Sequence, residues 1–124
     1  MPTVRRRVFY RRRFLNPAHH HAGAYVIAEV ETVIRDRTTR DGAPRLEDDV
    51  FVTLTLSDCS TVIDLCFDSD SAAERRASMH KINLLVDTLT RVRDAMETEY
   101  ADLAARQRDR ERQAAGRTGR RTSV

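Results

Sequence analysis

The chain has 124 residues, which suits one domain with a modest core, and its lack of any apolar run of 18 residues excludes a transmembrane helix. No secretory signal follows the basic N-terminus, so we expect a cytoplasmic protein with no membrane association and with Cys59 and Cys66 reduced. Residues 1–13 carry six arginines and no acid, residues 106–124 carry seven arginines against two acids, and the remainder carries nine basic against seventeen acidic side chains. An acidic body with two basic ends favours a polyanionic partner.

The first predicted segment is a basic arm over residues 1–22. Two arginine triplets, residues 5–7 and residues 11–13, enclose the aromatic side chains of Phe9 and Tyr10. Such a pattern fits an extended arm or the edge strand of a sheet, and the sequence leaves both open.

Three adjacent histidines, His19 to His21, follow the arginine triplets. Metal sites that are recognisable in a sequence have paired ligands at fixed spacing, which adjacent histidines lack. Cys59 and Cys66 lie seven residues apart across a predicted turn and on opposite strand parity. We therefore predict no metal ion and no cofactor, and we interpret the histidines as a polar loop beside the arm.

The next part of the chain alternates apolar and polar residues with the period of two that is typical of half-buried strands. It predicts three strands, over residues 24–34, 50–57 and 61–67, with a polar loop of about 15 residues between the first two. The predicted fold class is α+β, a three-stranded antiparallel β-meander followed by one long C-terminal α-helix.

The helix is predicted from Ser71 to about Arg112, because this stretch has no glycine or proline. Ser71 and Glu74 form a capping-box pattern at its start. Apolar residues then recur with alternating spacings of three and four, which is a heptad seam, interrupted at Glu99. The sheet covers only about 20–25 Å of helix, so we expect the apolar residues beyond it to form a homodimer interface. The predicted interface residues are Leu85, Leu89, Val92, Met96, Tyr100 and Leu103.

The predicted boundaries place the arm at residues 1–22, the sheet and helix core at residues 23–104, and a basic end at residues 105–124. Within that last segment, charged residues alternate without an apolar face, and Gly116 and Gly119 follow. We expect the helix to fray near residue 112 and the remaining residues to be disordered.

Catalysis is not supported by the sequence. A nuclease is the class to consider, since three antiparallel strands and a helix also begin the ribonuclease H fold. Its acids would come from Glu29 or Glu31, Asp64, and Asp68 or Asp70. Two-metal chemistry needs converging carboxylates, whereas the strand pattern puts Glu29 and Glu31 on the face away from the helix. With no nucleophile elbow and no glycine-rich phosphate loop either, we predict a protein that is not an enzyme.

The arginine-rich ends are the strongest functional signal. Arginine pairs with phosphate, and neighbouring aromatic rings stack on bases, so we expect DNA or RNA to be contacted by both ends. The candidate residues are Arg5, Arg6, Arg7, Arg11, Arg12, Arg13, Arg117, Arg120 and Arg121. The prediction is a self-associating regulatory or architectural binder. The alternative is a protein–protein interaction module, such as an inhibitor, adaptor or assembly factor, for which a phage-encoded protein is one candidate, that uses the surface of the sheet or the helix.

Overall fold

The computed structural model describes residues 3–17 and 23–121, except for the side chains of Arg37, Pro44 and Arg121. Its strands are β1 (Val4–Phe14), β2 (Tyr25–Thr38), β3 (Pro44–Asp58) and β4 (Thr61–Phe67), and its helix is α1 (Ala72–Arg121). The sheet is antiparallel with the order β1-β2-β3-β4. The α+β class is thereby confirmed. The chain divides into two compact units, Met1–Lys81 and Ile82–Val124.

The prediction of three strands is wrong by one, because the arginine-rich segment forms an edge strand of the sheet. β1 pairs with β2 over ten residue positions, from Val4 opposite Ile34 to Phe14 opposite Tyr25. Arginines occupy both faces of β1, so no apolar alternation marks the strand in the sequence. Backbone pairing and cross-strand partners on β2 supply what an apolar face would otherwise provide. The histidines at positions 19–21 lie outside the described residues.

The predicted loop between the first two strands of the meander is mostly a hairpin. β2 continues to Thr38 and β3 begins at Pro44, so the connecting turn is residues 39–43. The Thr39 N–H donates to the Ala43 carbonyl at 2.9 Å, and Gly42 has a φ of 76°, which favours glycine. Polar residues on either side of this turn pair across the hairpin, as the Arg35 guanidinium and the Asp49 carboxylate do at 3.4 Å. These pairs extend the two strands into segments that carry no apolar pattern.

Antiparallel register gives the sheet two distinct faces, because residues directly opposite each other point to the same side. The apolar face carries apolar residues that alternate with polar ones along β2, β3 and β4, as the period of two predicted. These residues are Val26, Ala28, Val30, Val50, Val52, Leu54, Leu56, Ile63, Leu65 and Phe67. The charged face carries the intervening residues, including Glu29, Glu31 and Asp49. Most of the apolar face is only half-buried: among the described residues, Ala24, Val33 and Phe67 are the buried hydrophobic ones.

Val33 lies on the charged face and is the most deeply buried large side chain, at 1% exposure. We expect Val33→Ala to lower the free energy of unfolding by about 2 kcal/mol, because two buried carbon groups are lost. Val62→Ala is the control, since Val62 is 55% exposed and should change stability by less than about 0.5 kcal/mol. Urea unfolding followed by circular dichroism measures both. Equal effects at the two positions would contradict the assignment of Val33 to the core.

The start of α1 confirms the predicted cap with one change. The Glu74 N–H donates to the Ser71 hydroxyl at 3.1 Å, as a capping box requires. The Glu74 carboxylate accepts from the N–H of Asp70 at 3.0 Å, one residue before the cap. Lys81 Nζ donates to the Cys66 carbonyl at 2.7 Å and lies 5.0 Å from the centre of the Phe67 ring, which ties the first turns to β4.

The end of α1 differs from the prediction, because the helix continues to Arg121 instead of fraying near residue 112. Gly116 and Gly119 each cost only about 1 kcal/mol relative to alanine, which lowers helix stability without ending the helix. Thr118 Oγ1 donates to the Ala114 carbonyl at 3.0 Å within this last part. The predicted disordered tail is therefore helical as far as the described residues extend.

Candidate nucleic-acid interface

A bulge at Val8 decides which arginines of β1 share a face. Arg7 is opposite Glu31 and Phe9 is opposite Val30, so Val8 is an extra residue in the strand. Without it, the residues after Arg7 would point to the other side of the sheet. The bulge therefore separates the six predicted arginines into two sets with different neighbours.

The first set lies on the charged face and is largely neutralised. Arg5 lies 3.6 Å from the Glu31 carboxylate and Arg7 lies 3.3 Å from that of Glu29. The Arg7 guanidinium also lies 4.5 Å from the centre of the Tyr10 ring, which adds a cation–π contact. Arg12 shares this face, opposite Ile27. Two of the six predicted arginines are thus committed to partners within the sheet.

The second set lies on the apolar side of the sheet, and we call it the β1 strip. Its members are Arg6, Phe9, Arg11 and Arg13, which lie opposite Thr32, Val30, Ala28 and Val26. Within the described part of the chain, none of the three arginines of the strip has an acidic oxygen within ion-pair distance. Phe9 is 49% exposed. Guanidinium groups without acidic partners beside an exposed ring suit phosphate pairing and base stacking.

The C-terminal candidates lie on the last turns of α1. Spacings of three and four residues place Arg120 and Arg121 on the same side of a helix as Arg117. The structure therefore gives these residues a fixed helical spacing, where the sequence suggested a disordered arm. Only the side chains of Arg117 and Arg120 are described, and both are exposed.

The predicted interface residues of α1 are exposed in the single chain, apart from half-buried Leu85. Their exposures are 65% for Leu89, 48% for Val92, 44% for Met96, 62% for Tyr100 and 42% for Leu103. Acidic side chains off the seam pair locally, as Asp87 does with Arg91 at 3.1 Å. We use "seam" below for the heptad positions Ile82, Leu85, Leu89, Val92, Met96, Glu99 and Leu103.

Two residues that sequence reasoning missed, Arg106 and Arg110, continue the seam. Heptad spacing after Leu103 gives positions 106, 110, 113, 117 and 120, and four of these five are arginines. We call Arg106, Arg110, Arg117 and Arg120 the arginine stripe. The spacing of three and four residues continues unbroken through these positions in the sequence. It was not followed beyond Leu103 because the helix was expected to end near residue 112.

The acids considered for catalysis do not converge. Asp64 accepts a hydrogen bond from Thr55 Oγ1 at 2.7 Å, and Glu29 and Glu31 pair with arginines of β1. No group of three or more His, Cys, Asp or Glu side chains within residues 3–17 and 23–121 is arranged to hold a metal ion. No helix in the same described ranges is long and apolar enough to cross a membrane.

Comparison of the chain with protein-family models, with curated proteins and with solved structures gives no match in any of the three.

Proposed function

We propose that this protein is a self-associating binder of nucleic acid that acts without catalysis. The observation that carries the proposal is the β1 strip: three arginines lacking acidic partners flank an exposed aromatic ring at the edge of a sheet. Arginines held in salt bridges across the sheet serve stability, and Arg5 and Arg7 have that arrangement at exposed positions. Arg6, Arg11 and Arg13 have no such role within the described residues, and they have the chemistry that phosphate recognition requires.

The position of β1 at the edge of the sheet supports this assignment. A partner that covers the centre of the apolar face would still leave β1 at the rim, where a nucleic-acid backbone can approach. The charged face is less suited to binding phosphate, because Glu29 and Glu31 would repel phosphate and already compensate two arginines. One side of one strand is therefore the best-equipped surface for a polyanion in the sheet.

The test compares two triple substitutions with the same change in charge. Arg6, Arg11 and Arg13 are replaced by glutamine in the first variant, and Arg5, Arg7 and Arg12 in the control. Binding of the full chain to duplex and single-stranded oligonucleotides is measured by fluorescence anisotropy at 50 and 200 mM salt. We expect at least a tenfold weaker affinity for the first variant, and a log–log salt slope shallower by about 2, since each phosphate contact contributes about 0.7–0.9.

The control variant should lose less than about threefold, because two of its arginines are occupied by glutamates. Equal losses in the two variants would show that the β1 strip has no special role. No binding by the unmodified protein at 50 mM salt would end the nucleic-acid proposal.

The alternative function, a protein–protein interaction module, is favoured by one different observation. The apolar face includes Val50 and Ile63, which are 37% and 53% exposed, and large exposed apolar surfaces mark interfaces. A protein docked on this face would bind with little dependence on salt. The salt series described above therefore separates the two functions.

A further inference from the structure

The helix α1 carries two consecutive surfaces on a single series of heptad positions, which we call the heptad frame. The inference from this placement depends on the proposed function and goes beyond it. From Ile82 to Leu103 the frame positions are apolar except for Glu99. From Arg106 to Arg120 they are arginine except for Gln113. The same side of one uninterrupted helix therefore changes from an apolar seam to an arginine stripe at a single point.

We propose that two copies of α1 pair in parallel along the seam, separate after Leu103, and present their arginine stripes to duplex DNA. The occupant of the seam is thus a second copy of this chain. The ligand of the stripes is the double helix, which accepts an α-helix in its major groove.

Parallel pairing follows from the distribution of apolar residues along the seam. In-register parallel helices bring six apolar positions against their own copies, namely Ile82, Leu85, Leu89, Val92, Met96 and Leu103. In an antiparallel pair, where the two core positions of the heptad alternate across the interface, no register matches more than four of these layers. Glu99 would also face its own copy in the parallel pair, which is unfavourable. The parallel pair has two more apolar layers than any antiparallel register, and the area that they bury outweighs this single layer, so the parallel arrangement is the more stable one.

Separation of the helices after Leu103 follows from charge. In a parallel pair Arg106 would face Arg106, and Arg110 would face Arg110, each at the short distance that a core position imposes. Like charges at such positions destabilise pairing, so the paired segment ends where the stripe begins. Asp109 and Glu111, the acids of this segment, lie off the frame, and neither is within ion-pair distance of Arg106 or Arg110 in the described residues.

The dimensions of the two segments fit this arrangement. The seam from Ile82 to Leu103 is about 32 Å long, and the segment from Arg106 to Arg121 about 23 Å, at 1.5 Å per residue. A helix of the second length crosses a major groove about 12 Å wide and reaches phosphates on both sides. Two helices that diverge from a dimer axis are a known geometry for basic regions on duplex DNA. Duplex RNA has a major groove too narrow for a helix, so DNA is the ligand that fits.

The experiment compares two quadruple glutamine variants of the full chain with equal charge. The stripe variant replaces Arg106, Arg110, Arg117 and Arg120; the control replaces Arg91, Arg93, Arg108 and Arg112, which lie on other sides of the same helix. Both sets are exposed and glutamine favours helix, so folding should be kept, and circular dichroism checks it. At 100 mM salt we expect the stripe variant to bind a 20-base-pair DNA duplex at least thirtyfold more weakly, against less than about fivefold for the control.

Orientation is tested by a cysteine at the last apolar position of the seam. In a chain with Cys59→Ser and Cys66→Ser, Leu103→Cys should form an intermolecular disulfide under mild oxidation, because parallel pairing brings the two copies of position 103 together. Ala101→Cys in the same background lies on the outer side of the helix and should not cross-link.

The outcomes separate this inference from the proposed function. Equal loss of DNA binding in the stripe and control variants, or cross-linking at position 101 but not at position 103, overturns the inference and leaves the proposed function in place. Binding to single strands or to duplex RNA as tight as to duplex DNA also overturns it. Failure of the unmodified chain to bind any of these nucleic acids overturns both.

Discussion

Replacing Leu89 and Val92 by glutamine should convert a dimer of this chain into a monomer. Both residues belong to the seam and are 65% and 48% exposed in the single chain, so they contribute little to the stability of one copy. In a dimer, four apolar side chains would be lost from the paired helices. At about 1.5–3 kcal/mol for each buried side chain, the total is at least about 6 kcal/mol, or more than roughly ten-thousandfold in the dissociation constant.

Sedimentation or light scattering of the full chain at about 100 µM, a concentration where even weak two-stranded coils pair, measures this change. The expected mass falls from twice the chain mass to 14.2 kDa. Leu84→Gln with Ala101→Gln is the matched control, because these residues are exposed and lie outside the heptad frame. The control should remain a dimer. A seam variant that keeps the dimer mass would assign self-association to another surface, such as the apolar face of the sheet.

Sequence periodicity predicted the elements whose residues alternate in polarity. The inward-facing residues of β2, β3 and β4 were identified from their period of two, and the register brings them onto one face, with Ala28 opposite Leu54 and Leu54 opposite Leu65. The cap of α1 was likewise readable, since Ser71 and Glu74 have the required types and spacing. These features depend on local chemistry, which a single sequence contains.

The elements that were missed depend on partners distant in the chain. β1 has no apolar alternation, and it forms a strand because its backbone pairs with β2 and because Arg5 and Arg7 meet Glu31 and Glu29. The bulge at Val8, which decides the face of every later residue of β1, has no signature in the arginine-rich sequence. The prediction treated all six arginines as equivalent, whereas this pairing separates the neutralised set from the β1 strip.

The inclusion of β1 in the sheet changes how the basic ends should be removed in an experiment. Deleting residues 1–13 would take away most of an edge strand, so lost binding could result from a damaged sheet. Substitution of exposed side chains keeps the backbone pairing of β1 and the helix of α1. The sharpest test of the two surfaces therefore compares substitution variants that have the same net charge as each other.

A variant with glutamine at all seven arginines of the β1 strip and the arginine stripe should lose nucleic-acid binding almost completely. These residues are Arg6, Arg11, Arg13, Arg106, Arg110, Arg117 and Arg120. In a dimer the change removes fourteen positive charges from the proposed contact surfaces. With seven fewer phosphate-pairing groups per chain, we expect affinity for duplex DNA at 100 mM salt to fall more than about a thousandfold and the salt slope to approach zero.

The control for this variant has the same number of glutamines at seven other exposed arginines of β1 and α1. It replaces Arg5, Arg7, Arg12, Arg91, Arg93, Arg108 and Arg112, so both variants lower the formal net charge from +3 by seven. Binding governed by total charge would be abolished equally in the two, because long-range attraction does not distinguish between faces. Binding governed by placement would survive in the control, weakened by less than about twentyfold. Anisotropy titrations of the two variants, side by side, therefore decide whether the bulge in β1 and the heptad frame of α1 create binding surfaces or only position charge on a basic protein.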